Sequence, residues 1–258
     1  LGHFKLYQKL APIHDEQKLP LFTLQHLKKL TDDFGVIQFA KHTDPDLRFG
    51  YSLDDNARAL MVAAMTAKHN DPEALELLNR YLRFVRFALR PKGSFANLIN
   101  AKRRIGSQQL SEDTQGRALW ALGYLVSQES LPSDIRKEAD RLFRKAIPVV
   151  ERIASPRATA FAMIGLYFYT KVKRNARATK LFEKLAERQI SQYGQVAKKD
   201  WLWFEDNLTY SNSKLSESLF YAYLATKKKL YLSAAEKSLN FLIDITFEKG
   251  YFSPIGQN

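Results

Sequence analysis

The sequence contains no cysteine, which excludes disulfides, thiolate zinc sites and cysteine nucleophiles in one step. That absence suits either a reducing or an oxidising compartment. No apolar run approaches the roughly 20 residues needed to cross a bilayer; stretches such as Val62–Ala64 and Phe161–Leu166 are soon broken by polar side chains. No membrane span is expected. The start, Leu1-Gly2-His3-Phe4-Lys5, lacks the continuous apolar segment of a leader, so the cytoplasm is the expected compartment, although a start other than Met leaves room for a removed segment. Histidine is scarce, and His3, His14, His26, His42 and His69 never fall at the i, i+4 or H-x-E spacing of metal ligands. Asp54-Asp55 alone is a weak cation signal, so neither metal nor cofactor is expected. Phosphate-binding glycine loops and the G-x-S-x-G elbow are missing too, which leaves nucleotide-binding and serine-hydrolase readings without support.

What is present is enough apolar material for a sizeable core: 45% hydrophobic residues, 12% aromatic, in 258 residues. The formal charge of +13 permits attraction to anionic partners. Its basic residues, however, recur on nearly every expected outer helix, as in Arg80, Arg83 and Arg86 or Lys227, Lys228 and Lys229. Nucleic-acid binders concentrate such residues on one face, so the reading is a solvated basic exterior, with nucleic acid not expected as a partner.

Helical periodicity with caps dominates, and the class is all-α. A leading helix is expected from Thr23 to about Asp33, and a second from Ser52 to near Asn70, with Ala57, Leu60, Met61, Ala64 and Met65 on one face. Asp71-Pro72-Glu73 supplies a cap, a first-turn proline and a first-turn acid, so a third helix starts at once and reaches about Leu89. The same grammar repeats in Ser111 to Val126 with Ser133 to Ile153, Ser155 to Lys171 with Asn175 to Ser191, and Ser211 to Thr226 with Leu230 to Phe247. Pro148 is expected to kink its helix. Four hairpins thus follow one leading helix. In each pair the first member is rich in Ala, Leu and aromatics and the second carries the charge, which implies an inner ring covered by an outer one.

The inner helices also begin alike. Ser52-Leu-Asp54-Asp55-Asn-Ala-Arg58-Ala-Leu60 matches Ser111-Glu112-Asp113-Thr-Gln-Gly-Arg117-Ala-Leu119 at an offset of 59 residues. Starts near 52, 111, 155 and 211 are too uneven for arrays whose repeats hold close to about 33 or 34 residues. A toroid with variable loops fits better.

Chemistry is expected where long segments enter the inner helices. Tyr51 precedes Asp54 and Asp55; Glu112 and Asp113 open a second helix; Trp201, Trp203 and Phe204 lead to Glu205, Asp206, Asn207 and Tyr210. In a toroid these loops converge at one end, which would set three acidic pairs around one cleft. Carboxylates serve as general acid and base around an oxocarbenium-like transition state, and aromatic faces cover pyranose rings. Capping competes with this reading at the first two pairs, because first-turn acids gain about 0.3–1 kcal/mol there. Likewise Asp54–Arg58 and Asp113–Arg117 have the i, i+4 spacing of helix-bracing pairs.

Phe49-Gly-Tyr-Ser-Leu-Asp-Asp-Asn-Ala-Arg-Ala-Leu60, Phe84 to Ala88, Ser111 to Trp120 and Phe252-Ser-Pro-Ile-Gly256 resemble segments of bacterial six-hairpin, glycosidase-like helical domains. The resemblance, which runs from about Leu19 onward, implies an (α/α)6 toroid, a carbohydrate ligand and a glycosyltransferase partner domain. A complete toroid has twelve helices and nine are counted, so residues 1–258 are expected to form a single domain with an extension at 1–22 and a ring truncated at the C-terminus.

The expected function is a glycoside hydrolase of the inverting kind, with Asp55, Asp113 and Glu205 as leading carboxylates. Trp203, Tyr51 and Tyr210 would form the sugar platform, and Asp54, Arg58, Glu112, Arg117, Asp206 and Asn207 would bind its polar groups. Two other classes stay open, a noncatalytic carbohydrate-binding accessory domain and a helical protein-interaction scaffold. The basic balance slightly encourages an acidic sugar, and with it lyase or epimerase chemistry.

Overall fold

The structure, a computed structural model, describes residues 22–67, 71–248 and 250–255. His3, His14, His69, Gly256, the extension before residue 22 and the expected helix end at Asn70 lie outside the described residues. Nine α-helices occur among those described. The leading helix α1 is only Gln25–Lys29, shorter than expected. Asp32 accepts bonds from the backbone N–H groups of Phe34 (2.8 Å) and Gly35 (3.0 Å), and this side-chain turn reverses the chain in place of a further helical turn.

Four hairpins follow: α2 (Leu53–Ala67) with α3 (Pro72–Ala88), α4 (Glu112–Ser127) with α5 (Ser133–Val150), α6 (Pro156–Val172) with α7 (Ala176–Val196), and α8 (Ser213–Thr226) with α9 (Lys229–Thr246). Asp71 caps α3 as its spacing predicts, accepting from the N–H groups of Glu73 and Ala74, with Pro72 in the first turn. Helix α5 runs through Pro148 but stops at Val150 rather than Ile153, where the Arg152 and Ile153 N–H groups turn to the carbonyls three residues back. Helix α7 outlasts its expected end at Ser191 and reaches Val196.

Helices α2, α4, α6 and α8 pack side by side, and each is backed by its partner in the hairpin. Burial separates the two layers: twelve of the 16 residues of α4 are buried, against seven of 18 in α5. The inner helices can be this crowded because small residues face one another. A Cβ on Gly165 would lie 2.5 Å from the Leu119 carbonyl oxygen and 2.7 Å from Trp120 Cα, so α4 and α6 touch backbone to backbone.

Irregular segments hold the helix entrances in place. Strand β1 (Ala40–Lys41) pairs with β2 (Asp44–Pro45), and β3 (Tyr51–Ser52) pairs with β4 (Leu98–Ile99). The second pair ties the loop before α4 to the start of α2. Leu53 N–H donates to the Asn97 carbonyl at 2.8 Å, and Gln115 bonds both backbone groups of Phe95.

Candidate active site

Serine hydroxyls cap three inner helices in turn. Ser52 accepts from Asp55 N–H at 3.1 Å, Ser111 from Thr114 N–H at 3.3 Å and Ser155 from Ala158 N–H at 3.4 Å. The capped ends of α2, α4 and α6, joined by the loop before α8, surround an open cavity of about 770 Å³. Partial positive charge at helix N-termini favours carboxylates there, and Asp54, Asp55, Glu112 and Asp113 all line it together with Arg58, Arg117 and Tyr210.

Each of these side chains has a definite partner. Asp54 is held by two arginines: its Oδ2 is 2.8 Å from Arg58 Nη2, and its Oδ1 is 2.5 Å from Arg117 Nε. The second contact is an ion pair without an aligned hydrogen bond, since neither atom has a bond of good geometry. Burial pushes the Asp54 carboxyl above its ordinary range against the pull of Arg117 and Arg58, and burial lowers the Arg117 guanidinium against the pull of Asp54. Desolvation thus outweighs attraction on both sides of this pair, as is common for buried ions. Arg117 also lies over the Phe161 ring at 4.0 Å and donates to Ser211 Oγ at 3.1 Å.

The expected Asp113–Arg117 brace is not formed. Arg117 reaches across to Asp54 on the neighbouring helix, and Asp113 Oδ2 accepts instead from the Tyr210 hydroxyl at 2.6 Å. Burial, then this bond, pushes the Tyr210 hydroxyl up to about 12, so it remains a donor at neutral pH. Asp113 Oδ1 has no hydrogen-bond partner among the described residues. Asp55 accepts from Arg58 at 2.7 Å and from the Ser52 hydroxyl at 2.5 Å. Glu112 is committed to the backbone: its Oε2 accepts from the N–H groups of Ala154 (2.9 Å) and Ser155 (2.6 Å), bridging the entrance of α4 to that of α6.

The third acidic segment sits elsewhere. Glu205 pairs with Arg157, which is 4% exposed, and it does not line the cavity. Arg157 also donates to the Tyr210 carbonyl at 2.6 Å and to Asn212 Oδ1 at 2.9 Å, with its guanidinium over the Tyr210 ring at 4.9 Å. Segment 205–212 is thereby folded around one buried guanidinium, and Tyr210 is delivered to Asp113. Asp206 and Asn207 are exposed outside the cavity.

Two expected platform aromatics have no face to offer a ligand. Trp203 is fully buried against Phe204 and Phe241, and Tyr51 is buried with its hydroxyl donating to Asp32 at 2.5 Å. Aromatic density marks the core as readily as a sugar site, and here the core took both rings. Phe39, 52% exposed and packed edge-on to Phe49, lines the cavity in their place, as do Gln38 and Asn97. Among the described residues no group of three or more His, Asp or Glu is arranged to hold a metal ion.

No protein-family model and no curated protein matches the sequence. Among solved structures, cellobiose 2-epimerase from Bacillus thermoamylovorans B4167 aligns with a TM-score of 0.67 at 11% identity, over 94% of this chain and 72% of that one. The fold is of the six-hairpin, glycosidase-like (α/α) toroid kind, and the described residues hold four hairpins of it. In this toroid the cavity lies at the end where the inner helices begin. None of the described helices is long and apolar enough to cross a membrane.

Proposed function

We propose that the chain is a carbohydrate-active protein that binds a saccharide in the cavity at the inner-helix N-termini and acts on it by general acid–base catalysis. One observation carries this reading: a small-molecule-sized cavity of about 770 Å³ collects four carboxylates, two guanidiniums and exposed aromatic rings from Phe39 and Tyr210. Rings of this kind cover the apolar face of a sugar, while charged groups bind its hydroxyls.

Within that reading the side chains divide by how much of each is already engaged. Asp54, gripped by Arg58 and Arg117, orients rather than reacts. Asp113 keeps one oxygen for a ligand, and Tyr210 fixes the other. We assign Asp113 as the principal proton-transfer group and Asp55, from the adjacent helix, as the second carboxylate, since only one of its oxygens is held by a guanidinium and the other by the neutral Ser52 hydroxyl. In glycoside hydrolysis one of them would take a proton from water as its oxygen bonds the anomeric carbon. The other would protonate the departing glycosidic oxygen. Four carboxylates against two guanidiniums leave the cavity acidic, which favours a neutral saccharide over an acidic one despite the basic exterior.

The fold neighbour supports a second reaction class, proton removal beside the carbonyl carbon of a reducing sugar, because that neighbour is a 2-epimerase. The test is binding to a panel of neutral and acidic oligosaccharides, followed by product analysis of each binder. Shorter products support hydrolysis and an isomeric product supports epimerisation. Binding without turnover supports an accessory domain, and no binding to any member sinks the saccharide reading.

A further inference from the structure

A second cavity of about 530 Å³ adjoins the first, and Tyr210 and Ser211 line both. It is the less polar of the two. Leu239, Leu242, Ile243, Phe247, Phe252 and Ile255 give it an apolar side, Thr209 to Ser213 and Thr246 give it a polar but uncharged one, and no charged side chain lines it. The wall is assembled by the segment after α9 folding back on that helix: Ser253 N–H donates to the Thr246 carbonyl at 2.7 Å, and the Phe247 and Phe252 rings pack at 5.4 Å.

A charged cavity and a less polar one that share a wall suit a ligand with two unlike halves. We propose that the second cavity is an aglycone subsite, taking the alkyl group of a glycoside whose sugar occupies the first. This assignment rests on the saccharide reading above. Three observations support it. Both volumes fall in the range of small-molecule sites, about 300–1,000 Å³. The shared wall contains Tyr210, whose hydroxyl holds Asp113, so the bond joining sugar to alkyl group would cross beside the residue assigned to proton transfer. Arg157, bonded to the Tyr210 carbonyl and to Asn212, fixes that wall from behind, and Asn212 lines the second cavity.

The experiment compares methyl with n-octyl glycosides of the same neutral hexoses, below the micellar concentration, by calorimetry on the full chain. Octyl glycosides should bind at least about tenfold tighter, the gain from burying roughly two methylenes. That ratio should fall toward one in Ile243→Asn and in Phe252→Ala, the latter a change at a 58% exposed ring with little consequence for folding. Arg58→Ala should weaken both glycosides equally and preserve the ratio. Methyl glycosides that bind with no octyl gain, or a gain indifferent to both cavity variants, would overturn the subsite alone. Failure of every glycoside to bind would overturn the saccharide reading and the subsite with it.

Discussion

The Tyr210 hydroxyl donates to Asp113 across 97 residues of sequence, at 2.6 Å. That bond closes the cavity between the start of α4 and the loop before α8, and it leaves one oxygen of Asp113 for a ligand. Tyr210→Phe should preserve the fold and lower kcat of any turnover by about tenfold or more, since a charge-assisted hydrogen bond contributes about 1.5–3 kcal/mol. A variant with wild-type rate would remove Tyr210 from the proposed site.

The Asp54–Arg117 pair is unfavourable on desolvation grounds, and its place in a cavity suggests retention for function. Arg117→Ala should destabilise by about 1–3 kcal/mol, because Asp54, only 25% exposed, loses one of its two arginines and keeps Arg58 alone. The double change Asp54→Leu with Arg117→Met should recover most of that loss while abolishing ligand binding. Denaturant unfolding of wild type, Asp54→Leu, Arg117→Met and the double variant measures the coupling, and additive losses would contradict a coupled pair.

Gly165 tests the packing of the inner helices. Gly165→Ala would push a methyl group against the Leu119 carbonyl of α4, and an overpacked backbone contact costs about 1–3 kcal/mol or more. Because α4 carries Asp113 at its start, a displaced helix should weaken ligand binding together with the melting temperature. Unchanged stability would mean that α4 and α6 do not touch at this point.

Alkaline pH gives a separate prediction. Tyr51, Tyr169, Tyr210 and Tyr221 have hydroxyls raised from 10.0 to about 12, burial being the first cause in each. A folded-state value above the unfolded one means that the unfolded chain loses these protons first. Their contribution to stability is therefore full below pH 10 and is lost progressively between 10 and 12. Thermal melts across that window, with phenolate absorbance, should show the fall; tyrosines titrating at about 10 in the folded protein would contradict it.

How much of this was legible beforehand depended on how local each signal was. The hairpins, the Asp71-Pro72 start and the serine-capped entrances are short-range patterns, and they appear at or within a few residues of where periodicity puts them. Of the site, the acids and arginines of the two matching entrances were legible because one motif occurs twice at homologous places in the ring. Partner choice was not: Arg117 sits four residues from Asp113, yet bonds Asp54 on another helix, and no local rule decides between them. Phe39 gives no local signal because it stands just before β1, in a segment with no helical period. The Trp201 to Phe204 run drew attention through aromatic density, which a core and a sugar platform share.

The most direct test of the central claim is turnover by Asp113→Asn beside wild type, on whichever neutral saccharide the panel shows to bind. The account predicts near-equal affinity and a rate reduced by about 10²–10⁴-fold, the usual contribution of a general acid or base. Full activity in Asp113→Asn would contradict the assignment of this cavity's chemistry.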